Sequence, residues 1–245
     1  MKGAYLGCKF TSEEVQIACN SQFLPFSVID DEALFAQVAG YLDAGKVVGW
    51  FQDSMEFGPR ALGNRSILGD ARNTQMQSQM NLKIKQRESF RPFAPAVLSE
   101  DVSDWFEMDV ASPYMLLVAN VKNEHCIKLV DNAATGLDKL HQIRSSVPAI
   151  THVDHSARVQ TVHKATNPKF HRLIVEFKKL SGVGMLINTS FNVRGEPPVC
   201  NPDDAIRCFL ATDMDVLVMQ NVLLLKSQQP SAQIEAAKTI TFEKD

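Results

Sequence analysis

No run of eighteen or more apolar residues occurs in this 245-residue chain, and its first stretch, MKGAYLGCKFTSEEVQ, has no apolar core of the kind a signal peptide carries. Both absences argue against membrane insertion and export, and the chain reads as cytoplasmic. Cysteine is sparse: Cys8, Cys19, Cys126, Cys200 and Cys208 are odd in number, widely spaced and contain no CxxC pair. That pattern argues against a disulfide framework or a thiolate zinc site, so all five are expected to be reduced thiols. Neither GxGxxG nor a GxxxxGKS or GxxxxGKT loop is present, and no nucleophile elbow or Ser-His-Asp order, which argues against dinucleotide dehydrogenases, P-loop NTPases and serine hydrolases. Aromatics make up 8% of the residues and do not interleave with the basic ones, so nucleic-acid binding has no positive support.

What is present is a local excess of positive charge. Residues 56–91 hold Arg60, Arg65, Arg72, Lys83, Lys85, Arg87 and Arg91 against Glu56, Asp70 and Glu88, so seven minus three leaves plus four, whereas the whole chain is at minus three and the remainder therefore near minus seven. A compact anion is the natural partner of such an island.

Hydrophobic periodicity places alternating helices and strands. TSEEVQIA predicts a short helix capped by Thr11 or Ser12, and DDEALFAQVAGYLDAGK a longer one with Leu34, Val38, Tyr41 and Leu42 on one face and Gly45 at its end. KVVGWFQ and RSILGDA read as strands, NTQMQSQMNLKIKQRE as a helix, and RPFAPAVL as an edge strand or a strand entry, because of its prolines. PYMLLVANV is another strand; residues 122–146 are a polar excursion before PAITHVD and ARVQTVH resume strand character. PKFHRLIVEFKKLSG is an amphipathic helix with Pro168 in its first turn, GMLINTSF a strand, NPDDAIRCFLATD a helix capped by Asn201, and DVLVMQNVLLLK a hairpin turning at Gln220 and Asn221. The expected domain is α/β with a mixed sheet over residues 28–226, preceded by an arm (1–27) and followed by a polar tail (227–245).

Three stretches offer chemistry. EFGPRALGNRS and the downstream Lys83, Lys85, Arg87 and Arg91 form a mixed Arg/Lys set suited to phosphate oxygens. Lys83 and Arg87, at i and i+4, fit a solvated helix face better, whereas Arg91 lies between Phe90, Pro92 and Phe93 and is expected to be pre-oriented. In HVDHSARVQTV, His152 and His155 lack the helix that would set metal geometry, and Arg158 suits a cleft and a surface ion pair equally. NTSFNVRGEPPV, with Gly195, suits either a phosphate or nucleotide site or a turn that satisfies its own backbone.

Together and in this order, EFGPRALGNRSIL, NLKIKQRESFRPFAP, HVDHSARVQTV and INTSFNVRGEPPV closely resemble the C-terminal domain of the NodU/CmcH-type O-carbamoyltransferases, from about residue 28 to 226. YLGCKFTSEEV is similar to the segment leading into that domain. The resemblance implies a YrdC/Sua-like fold, a mixed twisted sheet with flanking helices and a basic cavity. It implies that the domain takes carbamoyl phosphate and ATP and makes carbamoyl adenylate. An ASKHA-type domain, which holds a metal and is absent from this chain, then passes the carbamoyl group to a hydroxyl acceptor. On the family pattern Arg60, Lys85, Arg91, Arg158 and Ser190 line the pocket, with Asn188 and Arg194 as neighbours, and Arg60, Lys85 and Arg91 carry the catalysis. Mg²⁺ is expected to accompany ATP, with Glu56 and Asp154 as candidate ligands. Cys8 and His155 stand where the family pattern has proline and glycine, and Gly69 and Ala71 also depart mildly. The alternative reading is a non-catalytic nucleotide- or RNA-binding module of the same fold.

Overall fold

Short aliphatic runs assemble into one mixed sheet in the computed structural model, which describes residues 3–128 and 142–239. The strands are β1 (Ser27–Val28), β2 (Val48–Phe51), β3 (Arg65–Gly69), β4 (Ala94–Leu98), β5 (Leu117–Asn120), β6 (Ser156–Val162), β7 (Met185–Ser190), β8 (Val216–Met219) and β9 (Val222–Leu225). Their order across the sheet is β1-β9-β8-β2-β3-β7-β4-β6-β5. The pairs β2–β8 and β4–β6 are parallel and the rest antiparallel. The helices are α1 (Ser12–Ser21), α2 (Asp31–Asp43), α3 (Met76–Lys83), α4 (Val102–Trp105), α5 (Pro168–Ser181), α6 (Pro202–Ala211) and α7 (Ser231–Lys238).

Successive strand side chains enter opposite faces, and both faces are covered. Ile67, Val97, Ile187 and Leu217 join one core, with Val15 and Cys19 of α1 and Ile206 and Phe209 of α6. Leu68, Ala96, Leu186 and Val218 join the other, with Leu34 and Val38 of α2 and Leu173 and Phe177 of α5. The expected mixed α/β sheet with flanking helices is therefore the architecture found.

Capping explains where the helices begin. Thr11 and Glu14 form a reciprocal capping box on α1, and Asn201 with Asp204 does the same on α6, which has Pro202 at its first position. Asn167 caps α5, which ends on Gly182 at φ 76°. Among the described residues, no helix is long and apolar enough to cross a membrane.

The structure differs from expectation at several places. The short helix expected within the arm is present as α1 with Thr11 as its cap, but it buries Val15 and Cys19 in the core and packs on α6. Residues 231–238, expected within a polar tail, form α7, which also packs on α6 and buries Ala237; residues 240–245 lie outside the described residues. β4 is an interior strand despite Pro95. Its parallel ladder to β6 begins at Ala96, so the missing N–H falls just before that ladder. PAITHVD is not a strand: Pro148–Ile150 makes a 3₁₀ turn, because its proline-led apolar triplet is buried as a turn. Of the excursion at 122–146, residues 129–141 lie outside the described residues, and Asn123–His125 is a 3₁₀ turn.

His155 has φ 63°, a left-handed conformation that costs a side-chain-bearing residue roughly 1–2 kcal/mol and glycine almost nothing. The glycine that the resemblance leads one to expect here would adopt this conformation at little cost. Glycine's extra unfolded-state entropy offsets part of the gain. His155→Gly is expected to raise the thermal midpoint by about 2–4 °C. A midpoint that falls in differential scanning fluorimetry would show that the imidazole stabilises more than the strain costs.

Candidate anion-binding cleft

β2 and β3 pair antiparallel, so the chain must reverse between them. The reversal is organised by Glu56, whose buried carboxylate Oε1 accepts the backbone N–H groups of Leu62 (2.7 Å), Asn64 (2.8 Å) and Arg65 (3.2 Å). Three amides that a loop would otherwise leave unpaired are gathered on one oxyanion. Gly63 sits at φ 109°, where a Cβ would collide with the Phe170 ring, so the loop can close against α5 only with glycine there. From the sheet side, Asn188 on β7 donates through Nδ2 to the carbonyl of Ala61 (3.0 Å) and to Gln160 Oε1 (2.7 Å), while Gln160 on β6 donates to the carbonyl of Leu62 (2.8 Å). Arg60 thus projects from a loop whose following residues are pinned from both sides.

The two arginines of this loop divide in role. Arg65 is 1% exposed, lies 3.6 Å from the Phe51 ring centroid, and donates to the carbonyls of Gln52 (2.7 Å), Asn64 (2.9 Å) and Cys8 (3.2 Å). It supports the loop from within. Arg60 is exposed at the mouth of the cleft.

α3 stops at Lys83, short of the expected helix, and Gln86 follows in a left-handed conformation (φ 48°). The early stop removes the i, i+4 relation between Lys83 and Arg87 on one helix. Lys83 stays exposed, whereas Lys85 is 4% exposed and Arg87 is half-buried. Lys85 Nζ faces a ring of oxygens: the Ser190 carbonyl, Ser190 Oγ (3.2 Å), the Asn192 carbonyl (2.9 Å) and Asn192 Oδ1 (2.7 Å). Burial pushes the ammonium down to about 7, while the surrounding oxygens provide the acceptors its charged form needs. Arg87 donates from Nε to Asn81 Oδ1 (2.6 Å) and stacks 5.1 Å from the Phe93 ring centroid.

These residues line two adjoining compartments. One, about 190 Å³, is bounded by Lys85, Arg87, Arg91, Ser190, Asn192 and Arg194. The other, about 160 Å³, is bounded by Arg60, Arg87, Met115, Arg158, Asn188 and Ser190. Arg87 and Ser190 belong to both. Burial, and secondarily the neighbouring Arg60 charge, lowers the pKa of Arg158. Among the described residues, Arg60, Lys85, Arg87, Arg158 and Arg194 have no carboxylate within ion-pair distance. Cations packed together with a single nearby acid among the described residues, Glu88 paired to Arg91, are a site for anion oxygens. Beyond Pro92 opens a larger cleft of about 540 Å³, whose walls include Gln77, Phe90, Arg144, His152 and Asp154.

All seven residues expected from sequence line the two compartments, with a correction to one of them. Arg91 is not held between aromatic rings: its side chain is 54% exposed and its Nε pairs with Glu88 (3.0 Å), because Phe93 turns into the core while Phe90 faces solvent. The arginine held against an aromatic ring is Arg87. Arg158 sits inside β6, opposite Val118, and faces the cleft. Sequence reasoning assigned Arg87 to a solvated helix face and missed Asn192; their signal is the pair of i, i+2 spacings Lys85-x-Arg87 and Ser190-x-Asn192, which brings the four together. Neither candidate magnesium ligand belongs to the two compartments. Glu56 is engaged with the loop amides, and Asp154 accepts from Ser156 N (3.1 Å) and Oγ (2.7 Å).

A family model described as carbamoyltransferase C-terminus matches residues 39–226. An uncharacterized protein of Synechocystis sp. is 54% identical over all of this chain and 40% of its own length. The nodulation protein NolO of Bradyrhizobium diazoefficiens is 41% identical over 87% of this chain and 36% of its own. The 3′-hydroxymethylcephem-O-carbamoyltransferase of Streptomyces clavuligerus is 38% identical over 70% of this chain and 29% of its own. The chain thus spans at most two fifths of these curated relatives. Among solved structures, full-length HypF aligns at a TM-score of 0.48 and 17% identity over 82% of this chain and 22% of that one, too distant to bear on function.

Proposed function

Because the chain belongs to the carbamoyltransferase C-terminus family, we propose that its cationic cleft binds carbamoyl phosphate and ATP and generates carbamoyl adenylate. The observation that carries this reading is the pair of compartments meeting at Arg87 and Ser190. Two phosphorylated substrates seated side by side would bring their charges together there, and clustered cations offset that repulsion. Carbamoyl phosphate loses its phosphoryl group to water as phosphate; an oxygen of the resulting carbamate attacks the α-phosphorus of ATP, and the bond to pyrophosphate breaks. Charge spreads over the phosphoryl oxygens in that step, so catalysis is positioning and electrostatic stabilisation. Arg60, Arg87 and Arg158 hold oxygens in the 160 Å³ compartment, and Lys85 and Arg194 those in the 190 Å³ one. Ser190 supplies a hydroxyl between them, and Asn188 fixes the Arg60 loop.

The acid-free donor set fits the phosphates of ATP directly. Mg²⁺ would be held by phosphate oxygens and water, adding Lewis-acid charge, since neither compartment contains a carboxylate. The 540 Å³ cleft beyond Pro92 is within the usual size of ligand pockets and presents Phe90, 45% exposed, for stacking the nucleoside. Transfer to a hydroxyl acceptor is proposed to occur in a domain outside this chain.

Isothermal titration with carbamoyl phosphate tests the site. Arg87→Ala is expected to weaken binding by about 10- to 100-fold, the scale of a desolvated charge-assisted contact, and Arg91→Ala by less than about threefold. Equal losses in both variants would place the ligand at the rim rather than between the compartments.

A further inference from the structure

We propose that Cys8 and Cys200 are a reversible dithiol/disulfide pair that fastens the bases of the two loops lining the cleft. The inference stands whatever ligand the cleft takes. Although 192 positions apart in sequence, the two sulfurs lie 3.2 Å from each other, and Cys8 Sγ also lies 3.2 Å from the Cys200 carbonyl. Neither thiol is sealed off, since Cys200 is exposed and Cys8 half-buried.

Each is tied to a different wall. The segment of Cys8 pairs with residues 55–57 through Tyr5 opposite Glu56, Gly7 N to the Met55 carbonyl and Met55 N to the Cys8 carbonyl (2.9 Å each), immediately before the Arg60 loop. Cys200 ends the loop that runs from Ser190 and directly precedes Asn201, the N-cap of α6. The hydrogen bond with Cys8 and burial raise the Cys200 pKa, while the nearby Arg65 charge lowers it. Asp204, whose Oδ2 accepts from Cys200 N (3.2 Å), raises it further. Cys19 and Cys208 are buried, with burial pushing both thiols up to about 12, so they do not compete.

A low-molecular-weight disulfide such as oxidised glutathione is the two-electron oxidant. The Cys200 thiolate attacks one of its sulfurs and expels one glutathione thiolate. The Cys8 thiolate then attacks Cys200 Sγ and expels the second, so that two protein thiols and one glutathione disulfide become one protein disulfide and two glutathione thiols.

The test equilibrates the folded chain in glutathione buffers of graded redox poise, then maps peptides by mass spectrometry and measures the thermal midpoint. The expected result is one Cys8–Cys200 cross-link with loss of two hydrogens and a midpoint raised by about 5–10 °C, reversed by dithiothreitol. Cys8→Ser and Cys200→Ser should each lose that rise. Separate glutathione adducts on Cys8 and Cys200, or a cross-link that forms only in denaturant, would overturn the proposal.

Discussion

Lys85→Met is expected to lower the rate of carbamoyl-phosphate-dependent ATP–pyrophosphate exchange by about 10³-fold, comparable to removing one preorganised donor from a transition-state site. The same variant is expected to fold with its thermal midpoint within a few degrees of the parent. Among the described residues Lys85 has no carboxylate partner, so removing it deletes a buried charge without stranding an opposite one, which offsets the loss of its bonds to the Ser190 and Asn192 oxygens. The pH dependence sharpens the test. The folded-state pKa is about 7 and the unfolded value about 10.4, so between these pH values the unfolded chain holds a proton that the folded chain lacks. Stability from this group therefore rises with pH across that window, and the full cost of burying the ammonium is present below pH 7. Ligand binding has the opposite trend. A phosphate beside Nζ favours the charged form, so above pH 7 binding takes up a proton and affinity falls by up to about tenfold per unit. Titrations in buffers of different ionisation enthalpy should show that uptake in the parent and not in Lys85→Met; a pH-independent affinity in the parent would remove Lys85 from the site.

The second large effect is structural. Glu56→Ala leaves the N–H groups of Leu62, Asn64 and Arg65 without their shared acceptor in a buried loop. Each unsatisfied buried amide costs about 1–3 kcal/mol; allowing for partial rescue by water, the variant should lose about 3–5 kcal/mol, or roughly 10 °C in midpoint. Glu56→Gln keeps one acceptor oxygen and is expected to lose less than half as much. Because Glu56 anchors the Arg60 loop, Glu56→Ala should also weaken anion binding, whereas Glu56→Gln should retain most of it. A variant pair with identical midpoints in chemical or thermal unfolding would show that these three bonds contribute little.

Elements with strong local signals were legible in the sequence. The Asn-Pro starts of α5 and α6 and the Gln220-Asn221 hairpin combine amphipathic or alternating patterns with end chemistry that acts within a few residues. The expectations that failed depended on long-range packing. α1 and α7 look polar and terminal, yet both are held by α6. Pro95 suggests an edge or a strand entry, but β4 is interior: Pro95 lies opposite Ile187 in the ladder to β7, and the ladder to β6 begins one residue later, at Ala96. In the cleft, Arg60, Lys85, Arg91, Arg158 and Ser190 were identified through resemblance, and Arg91 was also expected to be pre-oriented because aromatic residues adjoin it in sequence. In space Phe93 belongs to Arg87, a relation set by the early end of α3 and the turn at Gln86. Helical spacing was the wrong ruler for residues beyond that turn.

The central claim is that the cleft of this chain activates a carbamoyl group at the expense of ATP. The most direct measurement is exchange of labelled pyrophosphate into ATP by the purified chain with Mg²⁺, with and without carbamoyl phosphate. The account predicts exchange that requires carbamoyl phosphate and is lost in Arg87→Ala and Lys85→Met. Absence of exchange despite measurable binding of both ligands, or exchange indifferent to carbamoyl phosphate, would contradict it.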